Sequence, residues 1–238
     1  MTYITNCDIY EIRNFEMRKE RKKTMKTNLR KAMCLALAVC LAMLGSCAFA
    51  AAIDMTVFEE NEDVVVTWDE MDGTAQVRPA DLLSTVFIPD GVAVSYGALC
   101  PGVGYDGDED IVRFALIGVL SVEEKAQVER MIFKVGEKRY TFYDVDSDIS
   151  VSDGSIKEEL GILFDGEAFS FLEALKTAQK NGETVKVRLW GQKYDIDFAM
   201  TDSMLETIVN MYELFEEAGG TSAANLLWLS DGNRMTVK

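Results

Sequence analysis

The chain has 238 residues, contains no histidine, and carries 40 Asp and Glu residues against 24 Lys and Arg residues. Without histidine it lacks the groups needed for Ser-His-Asp and Cys-His catalysis and for the usual His-containing zinc sites. Residues 51–238 hold 36 acidic and 15 basic side chains, a net charge of −21, which disfavours nucleic acid and anionic membranes as partners.

An apolar run occupies residues 32–52 almost without interruption, and basic residues precede it. A cationic n-region, an apolar h-region and small residues at the exit are typical of a secretory signal peptide. Ala48 and Ala50 supply the small residues at the −3 and −1 positions. The sequence therefore predicts a signal peptide over 25–50 that is cleaved after Ala50.

Two alternatives remain for the same segment. Residues 44–47 resemble a lipoprotein box with Cys47 as the acylated residue, although residues 48–52 are apolar where a lipid-anchored domain usually has a polar tether. The apolar segment 32–53 is also about long enough to span a bilayer as an uncleaved anchor. The Ala-rich exit favours cleavage, with a lipid anchor at Cys47 as the alternative.

Residues 1–24 are unusual for an export signal because they contain four acidic side chains. They are either an extension ahead of a translation start at Met25 or a long n-region. Residues 51–238 are long enough for a single globular domain, which we expect outside the cytoplasm, secreted or at the cell surface. Cys100 is the one cysteine of that domain, so its fold depends on an apolar core and not on an intrachain disulfide.

The first half of the domain alternates short apolar runs with turn residues, which predicts strands and hairpins. Strands are expected at 55–58, 64–68, 85–88, 92–96 and 111–117, with a helical turn at 79–83 and chain reversals at 72–73 and 89–91. The Gly- and Asp-rich residues 97–110 are predicted to be a loop. Their G-x-G-x-x-G spacing does not indicate a nucleotide site, because Pro101 precedes it and acidic residues surround it. Ser121 and Glu124 match a capping box, which predicts a helix to about Arg130.

The second half predicts two main helices among further strands. The strands are expected at 131–135, 138–143, 160–164, 226–229 and 235–237, with an acidic connection at 144–154 and a hairpin turn at 231–232. Apolar residues at helical spacing predict one helix from about Phe169 to a C-cap at Gly182. They predict a second helix over 202–218, where Ser203 with Glu206 can form a capping box.

Residues 185–198 predict a hairpin with a two-residue turn at 191–192. The expected pairs are Leu189 with Tyr194, Val187 with Ile196 and Val185 with Phe198 on the core face, and Arg188 with Asp195 and Lys186 with Asp197 on the opposite face. The phase of the strand places Trp190 on that charged face. The domain is therefore predicted to be α+β, a mostly antiparallel sheet or sandwich with two main helices packed on it.

Alternating aspartates give the sequence its one metal candidate. Asp144, Asp146 and Asp148 resemble the start of a calcium loop, as do Asp106, Asp108 and Asp110. Neither set has Gly at the sixth position or Glu at the twelfth, so neither is an EF-hand. An irregular calcium site remains an alternative to solvated loop charge, since carboxylates suit that ion outside the cell. No other cofactor is expected.

No catalytic motif stands out, although 36 acidic residues make carboxylate pairs inevitable. Trp190 is the candidate binding residue, because an outward indole can stack on a sugar, while covering a sheet edge is its alternative role. We expect an exported, non-catalytic protein that binds another protein or a surface glycan. A secreted hydrolase that uses paired carboxylates is the alternative.

Overall fold

The computed structural model describes residues 53–89, 94–152, 155–226, 229 and 232–238, without the side chains of residues 152, 155 and 224. The leader 1–52 lies outside the described residues. Cleavage after Ala50, a lipid anchor at Cys47 and a start at Met25 therefore stay predictions. Within the described residues, no helix has the length and apolar composition needed to cross a bilayer.

The elements of the first half, in chain order, are mostly strands. They are α1 (Thr56–Glu59), β1 (Val64–Asp69), β2 (Thr74–Pro79), a 3₁₀ helix (Leu82–Thr85), β3 (Val86–Phe87), β4 (Val94–Asp106) and β5 (Ile111–Val122). The second half adds further strands and the two long helices. Its elements are β6 (Val128–Val135), β7 (Lys138–Tyr143), β8 (Asp146–Ser152), β9 (Ser155–Leu163), α2 (Phe169–Asn181), β10 (Val185–Gly191), β11 (Ile196–Ala199), α3 (Asp202–Glu217), α4 (Ala223–Leu226) and β12 (Met235–Val237).

The described strands form two antiparallel sheets. Sheet A has the order β1-β2-β4-β5-β9-β8, with β3 beside β4, and sheet B has the order β11-β10-β6-β7-β12. The two long helices, α2 and α3, contact each other and contribute their apolar faces to the same core as both sheets. The predicted α+β architecture of mostly antiparallel strands with packed helices is confirmed.

Phe164 lies where the two sheets and a helix meet. Its ring centroid is 5.4 Å from that of Phe114 in β5, 5.5 Å from that of Phe142 in β7 and 6.2 Å from that of Phe171 in α2. All four side chains are completely buried. Aromatic pairs at these separations add to the stabilisation that burial provides, so this cluster holds the two sheets and the helix together.

The predicted helix from Ser121 to about Arg130 is wrong. Ser121 continues β5 and pairs with Lys157 of β9, and β6 already begins at Val128. The carboxylate of Glu158 accepts hydrogen bonds from the backbone N–H groups of the corner between β5 and β6. Since that contact comes from a distant strand, a local capping pattern does not decide the conformation.

The predicted loop 97–110 is also wrong, because most of it is the strand β4. Gly102 and Gly104 lie opposite Ala115 and Arg113 of β5. Pairing with β5 on one side and β2 on the other overrides the poor strand propensity of glycine. Gly107 lies in the turn that follows, where a Cβ would approach the Gly73 carbonyl oxygen to 2.6 Å. Gly107 therefore permits this close approach of two turns.

Most of the acidic connection predicted at 144–154 is the strand β8, at the edge of sheet A, and residues 153–154 lie outside the described residues. Asp146 lies opposite Gly161 and Asp148 lies opposite Glu159. Charged side chains are typical of edge strands, because they discourage pairing with another chain. The alternation of aspartates therefore marks an exposed strand.

Three short segments differ from the prediction: the start of the domain, the N-terminus of α3 and the residues around Leu226. The strand predicted at 55–58 is the helical turn α1, whose start is held by the Asp54 carboxylate accepting the Thr56 amide hydrogen at 3.1 Å. Thr201, and not Ser203, caps α3, since its Oγ1 accepts from the Met204 amide at 3.1 Å. Leu226 belongs to a short helix instead of a strand; part of the predicted hairpin 226–237 lies outside the described residues.

The hairpin over 185–198 forms with its predicted faces but a different register. The observed pairs are Leu189 with Ile196, Arg188 with Asp197 and Val187 with Phe198. The chain does not reverse within two residues, because the amides of Gln192 and Lys193 bond instead to the carbonyls of Gln127 and Ala126. A shift of two residues preserves the faces of a strand, so Val185, Val187, Leu189 and Ile196 are buried as predicted, while Tyr194 and Phe198 are partly buried.

Candidate functional site

Four side chains form a row across the outer face of sheet B. Trp190 of β10 lies opposite Arg130 of β6, and Arg130 lies opposite Tyr143 of β7. Arg234, just before β12, accepts a backbone hydrogen bond from Tyr143 at 2.9 Å. Side chains alternate between the faces of a strand, and Met131, Phe142 and Leu189, each adjacent in sequence to a residue of this row, are buried in the core. The row therefore points away from the helices.

Cations and aromatic rings alternate along this row. The Arg130 guanidinium carbon lies 4.3 Å from the centroid of the Trp190 ring and 5.3 Å from that of the Tyr143 ring. The Arg234 guanidinium carbon lies 4.6 Å from the Tyr143 centroid. These distances fall within the range of cation–π attraction, so each arginine is held in place by a ring.

The pKa of the Tyr143 phenol lies below its ordinary value. The main cause is the hydrogen bond with Thr236, and the nearby positive charges of Lys238, Arg130 and Arg234 contribute to the lowering. Nearby positive charges favour the ionised form of a phenol, so the three cations and the hydrogen bond act on Tyr143 in the same direction.

Two further rows run parallel to the first. The second row comprises Asp197, Arg188, Ile132, Thr141 and Thr236, and the third comprises Ala199, Lys186, Lys134, Arg139 and Lys238. We call the cations of the three rows the basic face: Arg130, Lys134, Arg139, Lys186, Arg188, Arg234 and Lys238. They are seven of the 15 basic residues of 51–238. Nearly half of the positive charge of an acidic domain is therefore gathered on one sheet face.

Arg188 is the member of the basic face with ion pairs to described residues. Its Nε and Nη2 atoms donate to the two carboxylate oxygens of Asp197 at 2.7 and 2.6 Å, and its Nη1 lies 3.8 Å from Asp195. The hydrogen bond from Arg188 lowers the pKa of Asp197 below its usual value. Among the described residues, no acidic side chain lies within 4.0 Å of the charged atoms of the other six cations. Six of the seven cations of this face therefore have no ion pair with the described residues.

Trp190 lies on the charged face of the sheet, where its phase predicts it, with the Arg130 side chain against its ring. Arg130, Tyr143 and Arg234 were not predicted as members of the site. The predicted helix ending at about Arg130 concealed the alternation of Arg130, Ile132 and Lys134 along β6. That alternation is the signal that finds the basic face once the segment is recognised as a strand.

The first calcium candidates lie along one chain segment. Asp144 has a φ of 55° and its backbone carbonyl accepts from Asn233 Nδ2 at 2.6 Å, while Asp146 and Asp148 belong to β8. In the described part of the chain, no group of three or more Asp, Glu, Cys or His side chains is arranged to hold a metal ion. Calcium at these residues stays a prediction.

The second aspartate set closes the turn between β4 and β5. Asp106 Oδ1 accepts from the amides of Asp108 and Glu109 at 3.1 and 3.3 Å. Asp110 Oδ1 accepts from the Tyr105 hydroxyl and from the Ile53 amide, each at 3.3 Å. These carboxylates act as local acceptors that stabilise the turn.

A half-buried carboxylate lies on sheet A. The pKa of Glu159 is raised above its usual value of 4.5, first by burial and then by Asp148 on the neighbouring strand, while Lys157 opposes the shift. The two carboxylates lie side by side on one sheet. Paired-carboxylate hydrolysis needs two groups on opposite sides of a bound sugar, which this arrangement does not provide.

We expect Glu159→Gln to raise the melting temperature at pH 7 and to leave it unchanged at pH 3.5. A carboxyl whose pKa is raised by folding destabilises the folded protein when it is ionised, and that penalty disappears below the pKa of the unfolded chain. Thermal melts at the two pH values measure this, with Glu137→Gln in the exposed turn between β6 and β7 as the control. A lower melting temperature for Glu159→Gln at pH 7 would contradict the assigned environment.

An open cleft of about 510 Å³ lies between α3, the 3₁₀ helix and the edge of β1 and β2. Its carboxylates are Asp63, Asp81, Glu206, Glu213 and Glu217. Asp81 accepts from the Leu83 amide at 2.9 Å, and Glu213 lies 3.1 Å from Lys176. Two of the five carboxylates thus have structural partners, and the lining residues include no aromatic ring for a sugar.

No family model matches this chain, and it matches no curated protein and no solved structure. The function is therefore inferred from the geometry of the site.

Proposed function

We propose that this chain is an exported, non-catalytic binding protein whose ligand, a surface glycan, lies on the basic face of sheet B. The observation that carries the proposal is the row in which Trp190, Arg130, Tyr143 and Arg234 alternate across neighbouring strands. Export through the signal at 25–50 places this face where extracellular glycans occur.

The row offers the contacts that sugars use. Aromatic rings supply apolar surface for the C–H faces of a pyranose, and guanidinium groups donate several hydrogen bonds in a fixed plane. The stacking of Arg130 between Trp190 and Tyr143 fixes these donors before a ligand arrives. Side chains that are already ordered lose less conformational entropy on binding.

The shape of the face favours binding over catalysis. An active site encloses its substrate in a concave pocket with groups of perturbed pKa converging on one point. The basic face is instead an open sheet surface, with Lys134, Arg139, Lys186, Arg188 and Arg234 exposed. An open surface of this kind suits a polymer that lies across several strands.

The proposal predicts that Trp190→Ala abolishes or strongly weakens retention of the processed chain on a glycan. The measurement is affinity electrophoresis or biolayer interferometry against a panel of dextran, xylan, polygalacturonate and heparin. Loss of one aromatic contact should reduce affinity by roughly 10-fold or more. Trp68→Ala is the matched control, because Trp68 is 43% exposed but lies on sheet A.

The proposal would be overturned if Trp190→Ala and the unchanged protein were retained equally on every polymer that binds the unchanged protein. Release of reducing sugar ends from any polymer of the panel would also overturn it, in favour of the hydrolase that uses paired carboxylates. The second readout is independent of the first, so binding and catalysis are separated in one set of samples.

A further inference from the structure

The positive charge of the basic face favours an anionic ligand. Seven cations lie on one face of sheet B, and six of them have no ion pair with the described residues. Gathering like charges on one surface is electrostatically unfavourable, and the penalty is removed when an anion binds. Arg188 shows the geometry that a carboxylate takes here, because it holds Asp197 in a two-pronged contact at 2.6 and 2.7 Å.

The spacing of these cations is regular in two directions. Neighbouring strands lie about 4.8 Å apart and alternate residues along a strand about 7 Å apart. The row from Trp190 to Arg234 crosses four neighbouring chain segments and is therefore about 14 Å long. The three rows together cover a similar distance along the strands. A surface with repeated charges at such intervals matches an extended polymer that carries a charge on each repeating unit.

The rest of the domain limits which polyanion fits. Residues 51–238 carry a net charge of −21, so a second copy of the chain or a bulky nucleic-acid duplex would bring its own charge close to acidic surfaces. Charges are screened over about 8 Å at physiological ionic strength. A thin, single chain confined to the basic face is attracted by the local cations and screened from the acidic remainder.

We infer that the ligand of the basic face is a linear anionic polysaccharide, bound through its carboxylate or sulfate groups by Arg130, Arg234 and the lysines of the third row. Trp190 contacts its sugar rings, Tyr143 lies against both arginines, and Thr236 and Thr141 lie between the rows of cations. This inference rests on the proposed function and specifies the chemical class of its ligand.

The test compares a charged polymer with its uncharged ester and with a second polyanion. Polygalacturonate carries one carboxylate per sugar, and its fully methyl-esterified form has the same backbone without charge; heparin supplies a sulfated polymer. Biolayer interferometry on the processed chain is repeated at increasing NaCl concentration. We expect polygalacturonate or heparin to bind and the methyl ester not to bind. The logarithm of the association constant should fall as the logarithm of the salt concentration rises, because binding releases counterions from a polyanion.

A double variant with a matched control tests the location. Arg130→Gln with Arg234→Gln should weaken binding roughly 10- to 100-fold and flatten the salt dependence. Lys125→Gln with Lys180→Gln removes the same charge away from the face and should leave binding unchanged. If the first variant has a lowered melting temperature, Lys134→Gln with Lys186→Gln replaces it, since both lysines are exposed.

Three other results would overturn the anionic ligand, the glycan or the whole site. Equal binding of the methyl ester and the acid, with loss of both in Trp190→Ala, would overturn the anionic ligand and leave the proposed glycan-binding function intact. Binding of poly-L-glutamate in preference to every polysaccharide would overturn the glycan and indicate an acidic protein. Binding that no variant of the basic face affects would overturn the inference and the proposed function together.

Discussion

Replacing Glu158 with Ala is expected to lower the free energy of unfolding by about 3–5 kcal/mol, because several buried N–H donors lose their acceptor at once. Glu158 is 0% exposed, and its carboxylate accepts from the amides of Ala126 at 2.9 Å, Gln127 at 3.1 Å and Val128 at 2.6 Å. The Ser147 hydroxyl adds a fourth contact at 3.2 Å. The residue therefore ties β9 of sheet A to the corner that leads into sheet B.

Urea or guanidinium denaturation measures this change. Glu158→Gln keeps one acceptor oxygen but directs an amide towards N–H donors, so it should be destabilising to a smaller extent than Glu158→Ala. Glu123→Ala, at an exposed position beside the same corner, is the control and should change stability by less than about 0.5 kcal/mol. A Glu158→Ala protein as stable as the control would show that the carboxylate does not hold the corner.

Glu158 also illustrates which parts of the fold the sequence predicts. The strands 111–117, 131–135 and 138–143 and both long helices follow from apolar periodicity and turn residues, which are local properties. The corner after Ser121 does not, because its conformation depends on a carboxylate from a strand more than 30 residues away. A capping-box pattern records only what neighbouring residues can do, and pairing with β9 overrides it.

Glycine and aspartate mislead for a related reason. Residues 97–106 and 146–152 have the composition of loops, but they belong to β4 and β8, since each segment lies beside another strand. Intrinsic strand preference is weak relative to the hydrogen bonds and burial that a sheet provides. Local composition therefore predicts turns well, but it predicts long, glycine-rich strands poorly.

The candidate site was partly predictable from one hairpin. The phase of β10 places Trp190, Arg188 and Lys186 on one face, and the structure has all three there. The other cations of the basic face come from β6, β7 and the residues around β12. Their juxtaposition depends on the strand order of sheet B, which no local pattern in the sequence specifies.

Substitutions on the two faces of that hairpin should differ strongly in their effect on stability. Val187 is 2% exposed and lies in the core shared by both sheets and helices. Val187→Asp would bury a charge without a partner, which should cost several kcal/mol, roughly enough to unfold a domain of ordinary stability. Arg188→Ala should cost less than about 1 kcal/mol, because an exposed cross-strand ion pair contributes little to stability. Urea melts of the two variants measure the difference.

The register is tested separately by double-mutant cycles on Arg188. The structure pairs Arg188 with Asp197 through two hydrogen bonds, whereas the nearest contact with Asp195 is 3.8 Å. The coupling energy of Arg188 with Asp197 should therefore exceed that with Asp195, and both should shrink at high salt. A larger coupling energy with Asp195 would indicate the predicted register with its two-residue turn.

If Arg188→Ala lowered stability more than Val187→Asp, the two faces of the hairpin would be assigned wrongly. Trp190, and the site built around it, would then lie in the interior.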